Sequence, residues 1–368
     1  MMIRSIAYSF ILLFSYSVTG KAQPSFTELE HLFTSPRYYV ACHTAESPVI
    51  DGNISDAVWD NAVWSEDFRD IEGDLKPDPP LRTRMKMLWD DQYLYIAAEL
   101  EEPHVWAYLQ QHDDIVYHDN DFEIFIDPVN TTHQYFEIEI NARNTVFDLF
   151  MTKPYRNGGE AMVSWDAAGL KSAVQVQGSL NKTTDTDKCW TVEMAIPIAA
   201  VTMYGSSVLP REGRIWRINF SRVNWHTDIV DGKYVKRKDP SGKTLPEENW
   251  VWSPQGVINM HYPERWGYLL FTKQAKPADA PQFVLPYGEK QRHYLWLVYY
   301  RQKEYFGKNR KYATTLDGLG IKPTVFDIEG KTNSLVMEAT GRQFSAIIET
   351  EGSRISINDE GLIRPLNN

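Results

Sequence analysis

Twice between residues 121 and 141 the chain alternates side chains with a period of two. Residues 121–127 put Phe122, Ile124 and Ile126 on one face and Asp121, Glu123, Phe125 and Asp127 on the other. Residues 134–141 repeat the pattern, with Phe136, Ile138 and Ile140 on one face and Tyr135, Glu137, Glu139 and Asn141 on the other. This period belongs to extended backbone, where successive side chains point to opposite sides of a sheet. Comparable strand-like runs occupy residues 83–89, 93–100, 146–151, 172–178, 190–196, 214–222 and 266–271, with turn residues such as Asp90 and Asp91 between them. Helical patterning is scarce. Many short strands of this kind predict a mainly β fold, a two-sheet antiparallel β-sandwich over residues 48–272.

The flanks read differently. Residues 23–47 are a lead-in whose segment 37–42 begins the fold. At 273–290, Lys, Pro, Ala and Gln replace the aromatic strands, which marks a linker. Residues 291–368 read as a small C-terminal α+β domain. Leu295, Val298, Tyr299 and Tyr305 recur at helical spacing, and short strand-like segments follow at 335–339, 344–350 and 353–357. Residues 1–22 have the order of a secretory signal: Arg4, then an apolar run from Ile6 to Val18, then Gly20-Lys21-Ala22. That run is shorter than the roughly 20 residues that span a bilayer. No later segment reaches that length without charges. The expectation is an exported protein, periplasmic or extracellular, without an integral membrane segment once the signal is removed.

The formal charge of the 368-residue chain is −11. Loss of residues 1–22 would remove Arg4 and Lys21 and make it more negative. An acidic balance argues against nucleic acid and strongly anionic glycans as main ligands, and ordinary solubility is the simpler explanation of it. Cys42 and Cys189 are an even pair, compatible with a disulfide in an exported protein or with two small buried hydrophobes. There is no His-Glu-x-x-His, no Gly-x-Ser-x-Gly and no glycine-rich phosphate loop. No catalytic constellation emerges.

Several short pieces occur in a fixed order: Ile50-Asp51-Gly52 with Trp59, Asp91-Gln92-Tyr93-Leu94-Tyr95, and Asp119-Asn120-Asp121-Phe122-Glu123-Ile124-Phe125-Ile126-Asp127-Pro128. Trp190-Thr191-Val192-Glu193, Trp216-Arg217-Ile218-Asn219-Phe220-Ser221-Arg222, Trp252-Ser253-Pro254 and Pro263-Glu264-Arg265-Trp266-Gly267 complete the series. In this order, residues 48–272 resemble the family 9 carbohydrate-binding modules of secreted bacterial glycan-handling proteins. The resemblance implies a β-sandwich, a sugar held between two tryptophans, and structural calcium in at least some members.

Sugars present apolar C–H faces and rims of hydroxyls, so a site needs aromatic platforms beside planar polar groups. Trp106 and Trp225 sit in polar context at strand ends, and Trp165 lies between strands; these are the candidate platforms. Trp59, Trp190, Trp216 and Trp266 fall within apolar periodicity and read as core. Asn224, Arg143, Glu139 and Asn141 are candidates for reading hydroxyls. Glu137, Glu139 and Asn141 share one strand face, which either lines a groove or is merely the solvated side of a sheet. For calcium the candidates are Asp119, Asp121 and Asp114, hard oxygen donors in a short loop. The expected function is non-catalytic binding of an oligo- or polysaccharide. The alternatives are an assembly module whose C-terminal domain docks a protein partner, and a glycoside-cleaving enzyme using the strand carboxylates.

Overall fold

The computed structural model describes residues 22–202 and 208–366. Apart from Ala22, the expected signal segment lies outside the described residues. The sandwich region contains β1 (Tyr38–His43), β2 (Arg69–Asp70), β3 (Thr83–Trp89), β4 (Tyr93–Glu101), β5 (Asp121–Asp127), β6 (Tyr135–Asn141), β7 (Val146–Met151) and β8 (Ala161–Met162). It continues with β9 (Lys171–Gln177), β10 (Cys189–Pro197), β11 (Ile215–Asn224), β12 (Thr227–Val230), β13 (Lys233–Lys236), β14 (Glu248–Val251) and β15 (Gly267–Thr272).

Hydrogen-bonded neighbours run β8-β7-β6-β5-β11-β15-β1-β3-β4-β10-β9, with β14 added to β11 and β2 to β14. The path curls so that the apolar faces of its two halves meet. Phe122, Ile124, Ile138, Ile140, Ile218 and Phe220 from one half share a core with Met85, Met87, Ile96, Trp190, Val192 and Met194 from the other. Two layers closed over one apolar interior make a β-sandwich. One pairing departs from the antiparallel expectation: β1 runs parallel to both β15 and β3. Neither neighbour is joined to β1 by a hairpin, so nothing forces antiparallel pairing there.

The ordered sequence pieces turn out to be mutual fasteners. Glu193 of β10 accepts hydrogen bonds from Trp59 Nε1 at 2.7 Å and from the Gly52 amide at 2.8 Å, tying the Ile50-Asp51-Gly52 turn to the sheet. Gly52 has φ +87°, and a Cβ there would lie 2.8 Å from the Gln175 nitrogen, so a side chain is excluded twice over. Asn219 of β11 donates to the Ser253 carbonyl and accepts from the Ser253 amide, both at 2.9 Å. A Cβ on Gly267 would lie 2.3 Å from the Trp252 ring, which explains the small residue after Trp266.

The C-terminal unit is α1 (Tyr287–Asn309) packed on a five-stranded antiparallel sheet: β16 (Val325–Ile328), β17 (Lys331–Ala339), β18 (Phe344–Thr350), β19 (Ser353–Asn358) and β20 (Ile363–Pro365). Leu29 and Leu32 of the lead-in complete its core. The helix begins at Tyr287, within the segment that composition marks as a linker. Glu289 and Arg292 in its first turns are buried against the sandwich. Glu289 Oε2 accepts from Arg217 of β11 at 2.8 Å, and Arg156 is paired with Glu264 at 2.7 Å. Cys42 and Cys189 are buried free thiols. Among the described residues no helix is long and apolar enough to cross a membrane.

Candidate functional site

The second face of β5 and β6 is not solvated. Asp121, Glu123, Glu137 and Glu139 are all buried, because the segments around Ile115, Tyr155, Glu247 and Ile258 rise over the sheet. They leave a cleft of about 480 Å³. Its floor carries Glu123, Glu137 and Glu139, and Phe125, Phe147, Leu149 and Met260 add apolar wall. Tyr117 and Tyr155 line the same cleft while staying 38% and 46% exposed, so each offers ring surface at the mouth.

The floor is electrostatically crowded. Glu123 and Glu139 are direct cross-strand partners. Carboxylate oxygens of Asp121, Glu123 and Glu139 all lie within 4.8 Å of one another. The Tyr117 amide donates to Glu139 Oε2 at 3.1 Å and the Val223 amide to Asp121 Oδ1 at 3.3 Å. Asp121 Oδ2 and Glu137 Oε2 have no hydrogen-bond partner in the protein. Burial pushes the Glu123 carboxyl up to about 7. Burial and the neighbouring Glu123 charge push Glu137 up to about 8 and hold Glu139 and Asp121 well above the ordinary carboxyl range. His261, at the cleft edge, is held down to about 4 by burial and by Arg156, so its ring is neutral near pH 7. The ring shares a 2.8 Å hydrogen bond with Tyr135 Oη and meets Tyr155 edge-on at 4.5 Å. Such a floor accepts hydrogen bonds when ionised, donates when protonated, and suits a polyhydroxylated ligand or a cation.

Of the residues proposed from sequence, Glu139 is in the cleft. Trp106 is only 4% exposed, packed beside Tyr108, and has no free face for a ligand. Trp165 is half-buried and turned onto Phe136 at 4.9 Å. Trp225 is half-buried, with Lys236 Nζ 3.3 Å from its ring centre. Its Nε1 donates to the Tyr117 carbonyl at 2.8 Å, so it holds an aromatic of the cleft mouth in place. Asn224 is buried and its Oδ1 accepts a hydrogen bond from Arg222. Asn141 donates to the Leu109 carbonyl and to Asp119 Oδ2, and accepts from the amides of Arg143 and Thr145. Its hydrogen-bonding capacity goes into a turn rather than a ligand. Arg143 is exposed at that turn, outside the cleft lining.

The calcium candidates do not gather as expected. Asp119 Oδ2 is taken by the Tyr108 and Leu109 amides, and Asp114 Oδ2 by those of Gln110 and Gln111. Asp121 instead faces Glu123 and Glu139. Tyr117, Tyr155, Glu123 and His261 line the cleft but are not among the candidates read from the sequence. Tyr117 stands just before the Asp119-Asn120-Asp121 run, which was its only local signal.

Residues 50–253 match the family described as carbohydrate family 9 binding domain-like. The chain is 27% identical over 165 residues, 44% of its length, to Exoglucanase XynX of Acetivibrio thermocellus. It is 27% identical over 163 residues, again 44% of its length, to Endo-1,4-beta-xylanase A of Thermoanaerobacterium saccharolyticum. The match spans only 13% and 12% of the lengths of these curated relatives. A carbohydrate binding module family 9 from Caldicellulosiruptor kristjanssonii, solved with cellotriose, is 16% identical with a TM-score of 0.38, covering 68% of this chain and 100% of that one.

Proposed function

The chain belongs to the carbohydrate family 9 binding domain-like family, and from that footing we propose that it holds a carbohydrate in the cleft over β5 and β6 without cleaving it. The observation that carries this reading is the placement of Tyr117 and Tyr155 at the mouth of a cleft floored by Glu123, Glu137 and Glu139. A pyranose ring can lay its C–H face on either tyrosine and offer adjacent hydroxyls to carboxyl oxygens, each of which accepts two. Cleavage would need carboxyl groups on opposite sides of the scissile bond. Here the acids share the floor of one sheet, so a sugar would rest above all of them.

Neutral β-linked glucans and xylans are the first ligands to offer, since the relatives carry the names exoglucanase and endo-xylanase. Anionic glycans would meet a chain of net charge −11. Such ligands lie outside the cytoplasm, consistent with the export expected from residues 1–22. Calorimetric titration of the purified chain with cello- and xylo-oligosaccharides tests the proposal, alongside a reducing-end assay on the parent polysaccharides. Saturable binding that Tyr117→Ala and Tyr155→Ala weaken, with no new reducing ends, supports it. Binding untouched by both substitutions would move the site elsewhere, and new reducing ends would make the protein an enzyme.

A further inference from the structure

On the opposite side of the same sheet, three chain segments converge on one histidine ring. His112 and Asp113 come from the turn before β5, Asp148 from β7, and Asp166 from the connection between β8 and β9. Phe147 and Leu149 line the cleft, so Asp148 between them points to the other face, and this cluster is separate from the sugar site.

The histidine is oriented before any ligand arrives. His112 Nδ1 lies 3.1 Å from the Val146 carbonyl, and a carbonyl only accepts, so Nδ1 carries the hydrogen. In the neutral ring Nε2 is then a bare lone pair. It is aimed at Asp166 Oδ1 at 3.0 Å, Asp113 Oδ1 at 3.6 Å and Asp148 Oδ1 at 3.9 Å. All four donor atoms fall within 4.8 Å of one another. Asp148 is 98% buried; its Oδ2 accepts from the Ala167 amide at 2.7 Å, whereas its Oδ1, facing the cluster, has no hydrogen-bond partner.

From this geometry we propose that His112, Asp113, Asp148 and Asp166 bind one divalent transition-metal ion, with zinc the best fit. A tetrahedron with bonds of about 2 Å has donors about 3.3 Å apart, a spacing that the three distances from Nε2 straddle. One imidazole with three carboxylates suits zinc, whereas calcium takes six to eight oxygen donors. The Val146 carbonyl is the outer partner that fixes the ring tautomer. A proton on Nε2 is the competing way to satisfy the carboxylates. It can make a short hydrogen bond to Asp166 but leaves the buried Asp148 Oδ1 without one. The ion would clip the loop bearing Trp165 to the turn bearing His112, a structural role beneath the floor of the cleft.

The test uses the full chain, stripped with chelator, dialysed and titrated with zinc chloride in a calorimeter. Zinc should bind with one equivalent that His112→Gln weakens at least about tenfold, and calcium at the same concentration should not compete. Thermal unfolding of the parent should shift upward with zinc, and that of His112→Gln should not. Both His112 and Asp166 are exposed, so His112→Gln and Asp166→Asn keep the fold, which circular dichroism verifies. Absence of zinc binding overturns the proposal, as does an isotherm that both variants leave unchanged, which would place the ion on another cluster such as Asp121, Glu123 and Glu139. A nitrogen NMR spectrum with both His112 nitrogens protonated in excess zinc overturns it as well.

Discussion

Glu123 on β5 and Glu139 on β6 stand directly opposite each other in an antiparallel ladder, both buried. Like charges in that position oppose sheet pairing. Every neighbouring position on the reverse side of these strands is apolar core, so the fold could have built this face from the same material. That it carries acids instead costs stability, a cost that the proposed ligand-holding role of this face would explain.

The cost has a pH signature. Burial raises the Glu123 carboxyl to about 7 and, with the Glu123 charge, Glu137 to about 8, both above their values in the unfolded chain. The folded state therefore holds more protons between about pH 4.5 and 8, and stability falls as pH rises through that window. Each such group contributes up to about 1.4 kcal/mol per pH unit. Thermal unfolding of ligand-free protein should shift to lower temperature from pH 5 to pH 8, and Glu123→Gln should flatten the trend and stabilise the protein at pH 8. A melting temperature that is constant or rises over that range would contradict the assignment.

The aromatic rim leads to a separate expectation. Tyr117 and Tyr155 keep exposed ring surface that contributes little to the core, so truncation should spare the fold. Tyr117→Ala and Tyr155→Ala should each weaken oligosaccharide binding at least about tenfold, about 1.4 kcal/mol, with melting temperatures close to the parent. Calorimetry beside thermal unfolding separates the two effects.

How far the sequence could be read follows from which signals are local. Alternation at Phe122, Ile124 and Ile126 marks the core side of β5 because periodicity is a property of one strand. The burial of Glu123 and Glu139 depends in part on loops more than a hundred residues further on, around Glu247 and Ile258, and no local pattern records that cover. Trp106 and Trp225 illustrate the same gap. Both sit among polar neighbours in sequence, yet one is enclosed and the other props Tyr117 through its indole N–H. Residue type identified the aromatic chemistry but not which rings meet solvent.

That distinction can be measured. Trp225→Phe keeps an aromatic ring and removes the donor to the Tyr117 carbonyl, so it should weaken sugar binding while leaving stability within about 1.5 kcal/mol, the cost of one hydrogen bond. Trp190→Ala empties a site 1% exposed in the main core and should cost about 3–5 kcal/mol. Urea unfolding distinguishes them, and equal losses would show Trp225 to be core rather than a prop.

A buried carboxylate, Glu289, sits at the junction between sandwich and C-terminal unit. Glu289 accepts from Arg217 at 2.8 Å, from Tyr268 Oη at 3.1 Å and from Asn130 at 2.8 Å, with Arg292 3.3 Å away. Burial alone would raise its pKa, but Arg292 and Arg217 outweigh burial and hold it below the ordinary value. Its contribution to stability is therefore present above the unfolded pKa and lost as pH falls through the folded one, opposite in sign to the cleft acids. Removing it leaves Arg217 and Arg292 buried beside each other without a counter-charge, a defect worth about 3–5 kcal/mol. Glu289→Ala should thus loosen the helix from the sandwich and expose residues 273–286 to limited proteolysis. Sugar binding should persist, because no cleft residue touches Glu289. A variant that resists proteolysis as the parent does would mean that the hydrogen bond from Tyr300 of α1 to Glu264 and the contacts of Thr132 and Lys153 with the last hairpin hold the two units together without it.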